Sequence, residues 1–299
     1  MDKFQIGNIS VRRIEEWQGD FMRPADFFVG YEKALFDTYS DDFPADVYDK
    51  ESGMFYAFLQ SWLIEIGDKK IIYDTGAGNN KERPGIPVFG GLQTDFIERL
   101  KAIGIEPEDI DIVICSHLHI DHVGWNTTLQ EQHWVPTFPN ARYLFSASDI
   151  EYWDPANIKK FPNKIGGEVN QGVFEDSVQP IIDAGKVESI TGRFEVLPGI
   201  VLEPAPGHTP GHMVLKVESC GEHAVFVGDI LHHLIQIYCP NWNSIFCEMA
   251  EDARNTRRNV LSYAAQNSAL IFPAHFGGQH AVWVTEKDNR FDIAYTKPI

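Results

Sequence analysis

Seven side chains in this sequence could together hold metal ions and activate water. Four of them fall within six positions: His117, His119, Asp121 and His122, in the run Ser116-His117-Leu118-His119-Ile120-Asp121-His122-Val123-Gly124. Two histidines one residue apart point the same way only where the backbone is extended. Asp121 and His122 follow at a turn where a helix is expected to begin, so one loop offers two groups of ligands. Imidazole suits zinc and other first-row metals, and carboxylate adds charge to a site that would otherwise be neutral. With 11 histidines in 299 residues, chance is a poor explanation for such a run. The other three are His208 in Pro206-Gly207-His208-Thr209-Pro210-Gly211-His212, Asp229 in Phe226-Val227-Gly228-Asp229, and His275 in Phe272-Pro273-Ala274-His275. Each alone reads as an ordinary loop residue. Together with the cluster they make five histidines and two aspartates, enough for two metals with one aspartate shared between them.

These residues need a scaffold, and the surrounding sequence predicts one. Asp111–Cys115 reads as a short buried strand that runs straight into the cluster. Phe58–Ile66 and Lys69–Asp74, joined by Gly67-Asp68, form a hairpin signal. Leu92, Phe96, Leu100 and Ile103 recur at helical spacing before Gly104. Further strands are expected at Arg142–Phe145, Ile200–Glu203, Met213–Val217, Ala224–Val227 and Ala269–Phe272. Helices are expected at Ser148–Trp153, with Ser146 or Ser148 as N-cap, near Ser177–Ala184, and over Ala250–Gln266. The Pro/Gly/Asn-rich stretch from about Asp154 to Asp176 reads as a surface loop. Strands and helices mix throughout, which argues for an α/β class. The candidate ligands sit just after strands, where loops carry chemistry on a rigid base.

Composition sets the outer bounds. The apolar fraction is 43% and the charged fraction 23%, ordinary for a globular chain able to bury a sizeable core. No repeat or linker divides it, so residues 1–299 are expected to form one domain. A net charge of −18 disfavours nucleic-acid binding, which depends on Lys and Arg neutralising phosphates. The N-terminus lacks a signal-like apolar core, no stretch is long and apolar enough for a membrane span, and the expected location is cytoplasmic. Cys115, Cys220, Cys239 and Cys247 have no CxxC spacing and are expected as free thiols.

The ordered set of motifs resembles the metallo-β-lactamase-fold hydrolase superfamily, whose pattern is HxHxDH followed by separate His, Asp and His. The likeness runs from Asp74-Thr75-Gly76 through His275, and it is greatest toward the branch of N-acyl homoserine lactone lactonases and methyl parathion hydrolase-like enzymes. The resemblance implies a four-layer αβ/βα sandwich. It also implies two divalent ions, zinc first and Mn, Fe or Co as alternatives: one on His117, His119 and His208, the other on Asp121, His122 and His275, with Asp229 bridging. Asp74 would orient the site, as metal-bound histidines need an outer partner. His212 would be structural, and His133, His223 and His280 local or at the surface. Lactonases of this branch carry a tyrosine three residues after the bridging aspartate. His232 stands there in this chain and becomes the candidate contact to a substrate carbonyl.

The implied activity is opening of a lactone or other activated ester, with quorum-quenching lactones among the candidates. Two cations sharing a water lower its pKa from 15.7 toward roughly 7, and Asp121 or Asp229 would orient the resulting nucleophile and carry a proton to the leaving group. The expected partner is a small molecule with an apolar portion. Some of Met54, Phe55, Tyr56, Phe58, Trp125, Ile235, Ile237, Tyr238 and Trp242 should line its pocket, the rest packing in the core or a homodimer interface. The main alternative is a phosphotriesterase or arylesterase. A β-lactamase, a glyoxalase II, an RNA-processing enzyme and a non-catalytic metal-binding module rank lower.

Overall fold

The computed structural model describes residues 2–162 and 164–298. Its centre is a pair of sheets. One has eight strands, among them Lys3–Ile6, Ile9–Asp20, Met54–Ile66, Lys69–Tyr73, Ile112–Ile114, Arg142–Ser146 and Val187–Ile190, adjacent in that order. The other has five: Phe194–Leu197, Ile200–Pro204, Met213–Ser219, Glu222–Gly228 and Leu270–Pro273.

Side-chain alternation shows why the sheets stack. Successive strand residues face opposite sides, so a strand buried on both faces must be apolar throughout. In Ile112–Ile114, Val113 points into one core while Ile112 and Ile114 point into another. Ile71, Ile72 and Tyr73 divide the same way, as do Leu63 and Ile64. The core between the sheets joins Trp62, Ile64 and Ile71 to Leu202, Leu215, Phe226 and Phe272. Behind the first sheet, Leu63, Ile72 and Val113 pack on Phe96, Leu100 and Ile181 of helical segments. Behind the second, Val225, Val227 and Ile271 pack on Val260, Leu261 and Ala264 of the helix Ala250–Gln266. The result is the expected helix–sheet–sheet–helix sandwich.

Topology then gathers the ligands. Strands 69–73, 112–114 and 142–146 run parallel, and so do 222–228 and 270–273, which the 250–266 helix connects. Parallel neighbours end on the same edge. Asp74, the 115–124 loop, Asp229 and His275 therefore emerge together at the C-terminal ends of their strands.

Two local expectations change. No α-helix begins at Asp121-His122; a short 3₁₀ turn, Gly124–Asn126, follows instead. The reason is tertiary: the N–H groups of Gly124 and Trp125 donate to the carbonyls of Gly76 and Thr75, 2.7 and 2.8 Å away. The 154–176 stretch is also more than a surface loop. Val173 and Phe174 are buried in the core behind the first sheet, and Phe174–Val178 forms a wide helical turn leading into the helix Gln179–Asp183.

Candidate metal centre

The Ser116–Gly124 loop is anchored by Asp74, whose backbone adopts a left-handed φ of 58° that costs energy for a non-glycine residue. Its carboxylate repays that strain with three contacts. Oδ1 accepts the Ser116 N–H at 2.7 Å, and Oδ2 accepts the Ser116 hydroxyl at 2.9 Å and lies 2.9 Å from Nδ1 of His122. With Nδ1–H so engaged, the Nε2 lone pair of His122 is free to face inward. His275 is set similarly, its Nδ1 lying 2.8 Å from the Phe58 carbonyl.

The structure brings all seven candidate ligands together in two groups. His117, His119, His208 and Asp229 form one; Asp121, His122 and His275 form the other. Within each group the potential donor atoms lie within 4.8 Å of one another. Asp229 stands between them. Its Oδ2 lies 3.2 Å from His208 Nε2, and its Oδ1 lies 3.1 Å from His122 Nε2 and 2.9 Å from His275 Nε2. The Asp229 N–H donates to His212 Nε2 at 3.2 Å, giving His212 the structural place expected of it. The four cysteines are unpaired.

Charge in this cluster is unevenly balanced. Burial, reinforced by neighbouring imidazoles, holds His117 and His119 well below the usual histidine range. Burial acts the same way on His122, but Asp229, Asp74 and Asp121 outweigh it and raise that imidazole well above its usual value. For His208, burial is overcome by Asp229, which lifts it to about 9. Asp229 resists its own burial through the surrounding histidines and is held well below the carboxylate range.

This donor set fits divalent cations. His119 Nδ1 lies 3.0 Å from His117 Nε2 and 2.8 Å from His208 Nε2, so three buried ring nitrogens converge on one point. His122 Nε2 and Asp229 Oδ1 are buried and, despite their proximity, neither makes a hydrogen bond. Buried polar atoms without partners are costly, and a shared cation would satisfy them.

A cleft of about 700 Å³, its open mouth included, leads onto this centre. His232 lines it, with Nε2 3.1 Å from Asp229 Oδ2 and the ring met edge-on by Phe27 at 5.4 Å. Burial lowers His232 to about 4 despite that carboxylate, so the ring is neutral, and neither ring nitrogen has a hydrogen-bond partner. Its neighbour His233 is committed elsewhere: Nδ1 accepts from the Ile235 N–H, Nε2 faces the Val47 carbonyl, and the ring stacks on Phe55.

Of the expected lining, Phe55 and Tyr56 reach the cleft; Met54, Phe58, Trp125, Ile235, Ile237, Tyr238 and Trp242 lie away from it. Phe21, Phe27, Ile86, Phe89, Val169 and Phe246, none of which the motifs singled out, add to the wall. Two buried carboxylates also escaped notice. Glu16 accepts from the Ala77 and Gly78 N–H groups and from Trp125 Nε1 at 2.7–2.9 Å, and burial pushes it up to about 7. A side chain at Gly76 would collide with it, the Cβ falling 1.9 Å from Glu16 Oε2. Asp149 accepts from the Leu118 N–H, the Thr209 hydroxyl and the Gly211 N–H, which ties the two histidine-bearing loops together.

Comparison with known proteins bears on the family and the fold. The sequence profile of the Metallo-beta-lactamase superfamily matches residues 59–275. An N-acyl homoserine lactonase of Bacillus sp is 29% identical over 169 residues, which cover 53% of this chain and 57% of that protein. The lactonase AiiB of Agrobacterium fabrum is 36% identical over 76 residues, or 22% of this chain and 28% of that one. The chain thus spans little more than half the length of the Bacillus relative it matches. Among solved structures, the hydrolase AbOPH superposes with a TM-score of 0.80 at 24% identity, covering 97% of this chain and 95% of its own. AidC, a dizinc quorum-quenching lactonase, superposes with a TM-score of 0.79 at 21% identity, covering 100% and 98%. At these identities the superpositions speak for the fold.

Proposed function

This chain belongs to the metallo-beta-lactamase superfamily, and we propose that it is a metal-dependent hydrolase that opens a lactone or comparably activated ester, N-acyl homoserine lactones included. The observation that carries this reading is that Asp229 lies within 3.2 Å of ligands from both groups, His208 on one side and His122 and His275 on the other, at the floor of an apolar cleft. The reading takes residues 1–299 as one hydrolase domain.

His117, His119 and His208 would hold one divalent ion and Asp121, His122 and His275 the other, with Asp229 between them. When bound, such ions supply a water acidified toward neutral pH and polarise the carbonyl oxygen under attack. Zinc suits the histidine-rich donors, and Mn, Fe or Co are compatible with them. The chain's own part follows from its geometry. Asp229 or Asp121 accepts a hydrogen bond from the attacking water, takes its proton as the new C–O bond forms, and delivers it to the alkoxide as the ring C–O bond breaks. His232, neutral and unpartnered, donates a ring N–H to the substrate carbonyl or to the charge that develops there. The aromatic wall excludes water and holds the apolar part of the substrate.

The aromatic rings of the wall also support the alternative, a phosphotriesterase or arylesterase, because flat aryl groups pack edge-on against Phe side chains. A β-lactamase fits less well: among the described residues, the cleft lining holds no Lys or Arg to pair with a substrate carboxylate.

The test is a panel of N-hexanoyl homoserine lactone, methyl parathion and nitrocefin with the metal-loaded protein, alongside elemental analysis. We expect about two ions per chain, turnover of the lactone above the others, and loss of activity on chelation that Zn, Mn or Co restores. Full activity at one ion per chain, or activity indifferent to chelators, would overturn the two-metal reading.

A further inference from the structure

Glu248 belongs to no motif, yet it is the meeting point of three elements around the cleft. Its Oε2 accepts from the Tyr152 hydroxyl at 2.7 Å and from the Ile165 N–H at 2.9 Å, and its Oε1 accepts from the Gly166 N–H at 2.7 Å. Its own N–H donates to the His208 carbonyl at 2.9 Å. One residue therefore ties the segment around Gly166 to the loop that carries a candidate metal ligand.

That segment is packed tightly. Gly166 and Val169 form part of the cleft wall. Asn170 Nδ2 donates to the Leu118 carbonyl at 2.9 Å, between His117 and His119. On its other side, a Cβ at Gly85 would fall 2.3 Å from the Glu168 carbonyl oxygen. Gly166 itself sits so close to the metal centre that a Cβ there would lie 3.3 Å from His119 Nε2 and 3.2 Å from both Trp153 and Glu248. His119 Nε2 is buried without a hydrogen-bond partner; apart from the Asn170 bond to the Leu118 carbonyl, what holds the Ile165 and Gly166 N–H groups in place is the Glu248 carboxylate.

We propose that Glu248 is a positioning residue that sets substrate specificity: its carboxylate seats the Ile165–Gly166 turn over His119 and so fixes the width of the cleft at its metal end. Without it, the turn keeps its anchor at Asn170 but loses two backbone hydrogen bonds beside the reacting groups. The cleft then widens where a small substrate must be gripped and a bulky one is now excluded. The proposal rests on the lactonase reading only in its choice of probe substrates.

The experiment compares wild type with Glu248→Ala, Glu248→Gln and Tyr152→Phe on three readouts. Hydrogen exchange of the Ile165 and Gly166 amides should quicken by about 10-fold or more in Glu248→Ala, because hydrogen bonds to a charged acceptor are among the stronger ones in proteins. Glu248→Gln, which keeps one accepting oxygen, should fall between, and Tyr152→Phe, which keeps both backbone bonds, should stay near wild type. Metal content should be unchanged in all three. In Glu248→Ala, the KM for N-butanoyl homoserine lactone should rise relative to that for the N-dodecanoyl compound, while kcat moves less. Unaltered amide exchange at Ile165 and Gly166 in folded Glu248→Ala overturns the seating role whatever the substrate is. Quickened exchange with an unchanged ratio of the two KM values overturns the specificity role. Wild type turning over neither lactone defeats the lactonase reading instead; the specificity arm is then run with a short and a long ester of methyl parathion's leaving group, and the same unchanged ratio overturns it.

Discussion

The floor and the wall of the cleft are built on different principles. The floor is polar and interlocked: Asp229 alone is approached by His208, His122, His275 and His232, and Asp74 fixes the loop beneath. The wall is a set of rings in edge contact, with Phe27 meeting Phe21, Phe28, Phe55 and Phe246 at centroid distances of 4.8–6.0 Å. Metal ligands must be of a given type at a given place, because bonds of about 2 Å tolerate little error. A wall must only fill space with the right shape, and many apolar residues can do that. The floor should therefore govern turnover, and the wall should govern which substrate is held.

The sharpest way to break this division is Asp229→Asn. The amide keeps the volume but removes the charge that faces both ligand groups. We expect fewer than two ions per chain and a loss in turnover beyond the roughly 10–100-fold typical of a residue that only supports a metal ligand. Elemental analysis and steady-state kinetics decide it. An active Asp229→Asn with two ions would show that the two ligand groups do not depend on a shared carboxylate.

A smaller effect is expected at the border between floor and wall. His232→Ala should keep both ions and lower turnover on the best lactone by about 10-fold or more, somewhat less than the loss of a donor at an oxyanion site without metal. His232→Tyr should retain appreciable activity, since a phenol can donate the same hydrogen bond. Unchanged turnover in a two-metal His232→Ala would move His232 from the chemistry to the packing.

The same contrast explains what the sequence disclosed. His117, His119, Asp121 and His122 are legible because their chemistry demands those residue types within a few positions. The strands around Ile72 and Val113 are legible as short continuous apolar runs because both their faces are buried. The turn after His122 was not: its N–H groups are taken by Thr75 and Gly76, which lie far away in sequence. Glu16 shares its buried face with Ile14 in the strand Ile9–Asp20, but a glutamate beside Glu15 reads as solvent-facing, and the Ala77, Gly78 and Trp125 N–H groups that satisfy it lie far away in sequence. Glu248 and Asp149 act through backbone N–H groups, which any sequence supplies, so no pattern advertises them. Phe21 and Phe27 lie outside every motif, and a phenylalanine bound for a cleft looks like one bound for the core.

The smallest effect should come from the wall, at Phe27→Leu. Phe27 is buried, touches four other phenylalanines and meets His232 edge-on at 5.4 Å, so it joins wall to floor. Leucine keeps most of the apolar volume and removes the edge-to-face contacts, which are worth about 0.5–1.5 kcal/mol beyond burial. If the division holds, that loss appears as a KM raised by about 2–10-fold with kcat nearly unchanged, because substrate and transition state lose the same contact. If Phe27 instead holds the His232 ring in place, kcat falls as it does in His232→Ala, and Phe27→Leu combined with His232→Ala costs no more than His232→Ala alone. Kinetics on the two single variants and the double variant separate these outcomes. A kcat defect shared by both would mean that wall and floor are one mechanism joined at a single ring.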